Sequence, residues 1–127
     1  MFLVILISFS SRTYAFENEK ETKTAKEDIK NYLISVAAAN KINADEFWLV
    51  AWGESKFFTG AKGDLKNGKH TSLGLWQIND VHKLSDSCRF NLVCSTKFAI
   101  TLWKKSPMAW TCWRELRNIQ KTNSCGY

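Results

Sequence analysis

Glu54 is the residue whose type and setting could do chemistry. The segment Asn43 to Phe58 reads as one helix. On a helix surface the neighbours of a residue lie three and four positions away. For Glu54 these are Val50, Ala51, Phe57 and Phe58, and no Lys or Arg is among them. Apolar surroundings disfavour the charged form of a carboxyl and raise its pKa. A carboxylic acid that keeps its proton near neutral pH can donate it to a leaving oxygen. That is the chemistry of cutting a glycosidic bond. The plainer alternative is a solvated glutamate beyond a frayed helix end, which Gly53 and the pair Thr59-Gly60 leave open.

About twenty residues on comes Gly74-Leu75-Trp76-Gln77-Ile78-Asn79. The Gln77 amide can both donate and accept, which suits hydroxyl and acetamido groups. The chain holds 6 tryptophans. Their flat faces suit sugar rings, and the indole N–H can still bond. Trp48 and Trp103 are assigned to packing, and Trp52, Trp76 and Trp110 to a cleft. Asp64 and Asp80 are the available second carboxylates, or else turn residues. Retaining hydrolases hold their two carboxyls about 5–5.5 Å apart and inverting ones about 6.5–9.5 Å.

The elements that must carry these residues follow from periodicity. A capping-box pattern, Thr24 with Glu27, predicts the first helix, with Ile29, Leu33, Val36 and Asn40 in step and Tyr32 and Ala37 beside them. A second capping box, Asn43 with Glu46, opens a helix that is apolar nearly all round, hence central and buried. Gly60, Gly63 and Gly68 punctuate a polar stretch, and Asn67-Gly68 predicts a tight turn in a small hairpin or irregular lid. A further helix is expected from about Asn91 to Lys105, with Cys94, Phe98, Thr101 or Leu102, and Lys105 on one face, stopped by Pro107. A last one runs from Trp110 to Ile119. The fold class is α+β, mainly α, in one domain.

Residues 1–15 read as a secretory signal peptide, because the apolar run Phe2 to Ile7 is too short to span a bilayer. An uncleaved anchor is the alternative. Residues 16–23 are mostly charged and are expected to be flexible, leaving 24–127 as the folded domain. Export suits the four cysteines, Cys88, Cys94, Cys112 and Cys125, which allow three disulfide connectivities. Short loops favour Cys88–Cys94 and Cys112–Cys125. No C-x-x-C pair occurs, and His70 and His82 have no ligand spacing, so no metal or other cofactor is expected. The net charge of +6 suits an acidic polymer such as a bacterial wall rather than nucleic acid, since no basic run exceeds Lys104-Lys105.

Glu54-Ser55, the Gly74–Asn79 segment, and Ala109-Trp110-Thr111-Cys112-Trp113 together resemble the lysozyme-like superfamily, in particular soluble lytic transglycosylases and the small lysozyme-like modules of phage tails. The resemblance covers roughly residues 28–113. It implies a lysozyme-like fold with a central buried helix and a small irregular β region. It implies a secreted or periplasmic monomer, not inserted in a membrane once the leader is removed, whose partner is the peptidoglycan glycan strand. Glu54 would be the catalytic acid at the bond between N-acetylmuramic acid and N-acetylglucosamine. Ser55, Trp76, Gln77, Asn79 and Trp110 would contact or frame the glycan. Lytic transglycosylases work with one glutamate as acid and then base while the muramyl hydroxyl closes an anhydro ring. A hydrolytic muramidase is the alternative, and a non-catalytic cationic glycan-binding or antimicrobial protein a further one. Ser95 stands where such modules often carry Asn, and Trp113 replaces the usual Tyr. The cysteines are an addition to the pattern.

Overall fold

The first helix, α1, spans Ser11–Ala39 and lays Leu33 and Ala37, both fully buried, against the rest of the fold. The computed structural model describes residues 11–121 and 123–127, with side chains from Thr22 onward. The apolar run of the expected leader therefore lies outside the described residues. The capping-box expectation at Thr24 is corrected, since α1 already runs from Ser11 and includes residues 16–23. Glu and Lys make up most of that stretch, and both are strong helix formers.

Asn40 closes α1 by donating its side-chain amide to the Val36 carbonyl at 2.8 Å. The chain reverses at Lys41, and α2 runs over Ala44–Ser55. Its N-cap is Asn43, whose side chain accepts from the Glu46 N–H, as the sequence pattern predicts. Glu46 does not bond back. Its carboxylate instead pairs with Arg117. α2 packs along α1 and buries Phe47, Val50 and Ala51. Phe47 meets Trp76 with ring centroids 4.5 Å apart and Trp103 at 5.2 Å. Burying one such side chain contributes roughly 1.5–3 kcal/mol.

A small antiparallel sheet follows, in the order β1 (Lys62–Lys66), β2 (Lys69–Leu73) and β3 (Ile78–Asn79). Lys66 faces Lys69 across the Asn67-Gly68 turn, where both residues have positive φ. That is the turn whose twist matches a two-residue hairpin. A single helical turn, α3 (Asp86–Arg89), leads to α4 (Leu92–Lys105), and α5 (Thr111–Leu116) follows Pro107. Gly74 has φ +82, and a Cβ there would lie 1.8 Å from the Arg89 carbonyl oxygen, so only glycine fits where the end of α3 meets the chain after β2.

The face of α4 also differs from expectation. Ser95, Thr96, Ala99 and Trp103 are its buried residues, while Cys94, Thr101 and Lys105 are exposed. The inward polar positions are satisfied, since the Trp76 indole N–H donates to Thr96 Oγ1 at 3.0 Å and Ser95 bonds the Leu92 carbonyl. α5 stops at Leu116, so Ile119 is exposed rather than part of its core face. The disulfides join Cys88 to Cys94 and Cys112 to Cys125, the pairing that loop length favours. The architecture is mixed α+β and mainly helical. No helix among the described residues is long and apolar enough to cross a membrane.

Candidate active site

Glu54 lies in the last turn of α2, and the way that helix stops decides its surroundings. Lys56 and Phe57 both adopt left-handed conformations, with φ 53 and 61. The helix therefore ends at Ser55, two residues before the expected contacts with Phe57 and Phe58. Phe57 turns instead to Trp52 and Trp48, with ring centroids at 5.2 and 6.3 Å, and Phe58 is 61% exposed. The apolar neighbours proposed from helical spacing are thus half right: Val50 and Ala51 are buried beneath Glu54's turn, and the two phenylalanines are not helical partners.

Other elements supply the burial. Glu54 lines a cleft of about 500 Å³ whose first wall is Gly53 and Glu54 of α2. The sheet side brings Asp64 and Ser72 with Gln77 and Asn79. The entry to α5 brings Trp110, Thr111 and Cys112. The chain near the C-terminal disulfide closes the cleft with Ser124 and Cys125. The Cys112 backbone N–H donates to Glu54 Oε1 at 3.1 Å. Gly53 makes this closeness possible, because a Cβ there would lie 2.7 Å from the Tyr127 hydroxyl and 2.9 Å from Cys112 Sγ. The Tyr127 hydroxyl donates to the Leu49 carbonyl at 2.6 Å, and Lys56 Nζ donates to the Cys125 carbonyl at 2.6 Å. Residues 123–127 are thereby strapped across the end of α2.

Burial raises the Glu54 pKa from 4.5 to about 7. The Cys112 N–H opposes that shift by favouring the charged form. The negative charge of Asp64 adds to it, Arg114 offsets a part, and Glu115 adds a little. The Tyr127 phenol is raised as well, by burial first and then by the charges of Glu54 and Glu115.

Asp64 is the carboxylate that shares the cleft. Its Oδ2 accepts from Ser72 Oγ at 2.5 Å, and Ser72 Oγ accepts from the Asn79 amide at 3.2 Å. Asp80 is held elsewhere: it pairs with the buried Arg89 at 2.8 Å and with Lys69 at 3.9 Å. Arg89 also reaches the Thr71 and Ile78 carbonyls and Asp86, so Asp80 belongs to a clamp beneath the sheet.

Of the residues singled out for glycan contact, Gln77, Asn79 and Trp110 line the cleft with Glu54. Gln77 sits at φ +46, donates to the Gly74 carbonyl at 2.9 Å, and rests against Gly63, where a Cβ would come within 2.1 Å of its Oε1. Trp110 is nearly buried and donates its indole N–H to the Trp76 carbonyl at 2.9 Å. Three assignments are corrected. Trp76 is fully buried and packs on Phe47 and Trp110, so it is floor rather than contact. Ser55 bonds back to the Ala51 carbonyl at 3.2 Å and does not line the cleft. Trp52 faces a separate groove with Trp48 and Phe57. The sequence did not point to Ser72, Ser124 or the Cys112 N–H, because nothing in residue type marks a backbone donor or a distant strap. No group of acidic, histidine and cysteine side chains among the described residues could hold a metal ion.

No family model matches the chain, and neither the curated proteins nor the solved structures provide a match.

Proposed function

We propose that the protein cleaves the β-1,4 bond between N-acetylmuramic acid and N-acetylglucosamine in peptidoglycan, on a lysozyme-like scaffold. Glu54 is the proton donor. The observation that carries this reading is a carboxyl raised to about 7 inside a cleft that also holds the polar side chains of Asp64, Ser72, Gln77 and Asn79. An acid poised near the working pH protonates a leaving oxygen most effectively. Gln77 and Asn79 offer the donors and acceptors that hydroxyl and acetamido groups require, and Trp110 supplies an aromatic base to the cleft.

In the first form of the reaction Glu54 works alone, as in a lytic transglycosylase. It protonates the glycosidic oxygen, then takes the proton of the muramyl 6-hydroxyl as that oxygen closes on the anomeric carbon, leaving a 1,6-anhydro end. Asp64 allows a second form. Its carboxylate, held by Ser72 in the same cleft, would activate a water that attacks the anomeric carbon, which is hydrolysis. The strapped disulfide and the net charge of +6 suit work outside the cytosol on an acidic wall.

The test is digestion of purified peptidoglycan followed by mass spectrometry. Anhydromuramyl ends identify the lyase and reducing muramyl ends the hydrolase. Glu54→Gln should remove both while leaving glycan binding in place. Undiminished cleavage by that variant would refute the assignment.

A further inference from the structure

A second concavity, about 750 Å³, lies between α1 and α2 and shares no lining residue with the Glu54 cleft. Its apolar floor is Trp48, Leu49, Trp52 and Phe57, with Tyr127 at one end. Lys23, Lys26 and Lys30 line its α1 side. Lys30 Nζ stands 4.3 Å from the Trp48 ring centroid, while Lys26 and Lys56 stand 5.5 and 5.1 Å from that of Trp52. Among the described residues, Glu27 is the acidic residue of the lining, and none of these lysines forms an ion pair with a carboxylate. Phe58, 61% exposed, extends the apolar surface beyond the groove next to Phe57.

We propose that this face docks the protein on a bilayer surface rich in anionic phospholipid. The Lys26 and Lys30 ammonium heads lie over the Trp52 and Trp48 rings, and an ammonium has three N–H donors, which leaves donors for phosphate oxygens. Trp, Tyr and Lys together are the residues that hold a protein at the level of lipid headgroups, where one end of each side chain is apolar and the other wet. An anionic surface attracts a lysine cluster in addition to whatever apolar area enters it.

The same geometry weighs against a second sugar site. The tryptophan rings already carry ammonium groups on their faces, where a sugar ring would have to stack. The described residues of the lining include no Asn or Gln, whereas the Glu54 cleft offers Gln77, Asn79, Ser72 and Asp64 for hydroxyl groups. Docking of this kind is peripheral and requires no spanning helix. It uses none of the residues that line the Glu54 cleft.

Flotation of the full chain with vesicles tests it. Phosphatidylcholine vesicles containing phosphatidylglycerol should bind the protein, with a blue shift of tryptophan emission, and phosphatidylcholine alone should bind it far less. Lys26→Glu with Lys30→Glu should weaken binding roughly tenfold or more, because both charges are reversed at the anionic surface. Added salt should weaken the wild type likewise. Trp48→Ser should reduce both binding and the blue shift. Circular dichroism establishes that each variant is folded, and Glu54→Gln, which leaves the groove intact, should bind vesicles like the wild type. Equal binding to both vesicle types, or binding unchanged in the double lysine variant, would overturn the proposal. So would capture by soluble dextran sulfate without capture by vesicles, which would make the groove a site for an acidic polysaccharide.

Discussion

The backbone N–H of Cys112 donates to Glu54 Oε1, and the side chain of the same residue is bridged to Cys125. One residue therefore binds the acid and anchors the strap that shields it. The two roles pull the acid in opposite directions. The N–H favours the carboxylate, and the strap helps exclude the water that would stabilise it. Burial is the larger effect, so the carboxyl keeps its proton to about pH 7.

Activity should follow that proton. The reactive form of Glu54 is the acid, so the specific rate should be level on the acidic side of its pKa and fall about tenfold per pH unit above about 7. Glu54→Gln should lower the rate roughly a hundredfold or more at and below pH 7, with the difference narrowing above it as the wild type loses its proton. A pH–rate profile on solubilised peptidoglycan measures both. A rate that still rises beyond pH 8 would remove Glu54 from the role of acid.

The same burial costs stability. An unfolded glutamate titrates at 4.5 and the native one at about 7, so between these values the native state holds more protons. Raising the pH through that window therefore favours unfolding. Glu54→Gln keeps an acceptor for the Cys112 N–H and loses the titration. It should match the wild type below pH 4.5 and exceed it at pH 8 by up to about 3 kcal/mol. Urea unfolding at the two pH values measures the difference, and equal stability at both would contradict it.

The strap can be released without touching the acid. Cys125→Ser opens a loop with a sequence separation of 13 and should cost about 3 kcal/mol. Solvent should then reach Gly53 and Glu54. The Glu54 pKa should drop, and the alkaline limb of the pH–rate profile should move below its wild-type position in the fraction that remains folded. A variant that loses stability but keeps the wild-type limb would show that the strap is merely structural.

Asp64→Asn separates the two forms of the reaction. If Asp64 supports hydrolysis, reducing muramyl ends should fall roughly a hundredfold. If Glu54 works alone, anhydro ends should continue at near the wild-type rate, with a slightly lower Glu54 pKa because one nearby negative charge is gone. Mass spectrometry of the digests counts each end. Asp80→Asn, by contrast, should weaken the Arg89 clamp and lower stability with little change in product.

Local patterns made much of the scaffold legible. Asn43 as N-cap, the Asn67-Gly68 turn, the stop at Pro107 and the central burial of Phe47 and Val50 are all set by neighbours in sequence. The failures arise where tertiary contacts overrule those patterns. Phe57 and Phe58 continue the apolar spacing of α2, yet the left-handed turn at Lys56 ends the helix, closed by its N–H to the Trp52 carbonyl and by its side chain on the Cys125 carbonyl. Trp76 looks like a sugar platform by type, and the Thr96 hydroxyl takes its indole N–H into the core. Asp64 and Asp80 are equivalent by composition. Arg89 withdraws one of them and Ser72 holds the other in the cleft, a distinction visible only once the hairpin is folded.

Isotope-detected NMR titration of the Glu54 side-chain carboxyl in the folded, oxidised protein addresses the central claim most directly. A midpoint near 7 is the predicted result, with Glu54→Gln identifying the resonance. A midpoint near 4.5 would mean a solvated carboxylate at neutral pH, and Glu54 would then have no proton to give to the glycosidic oxygen.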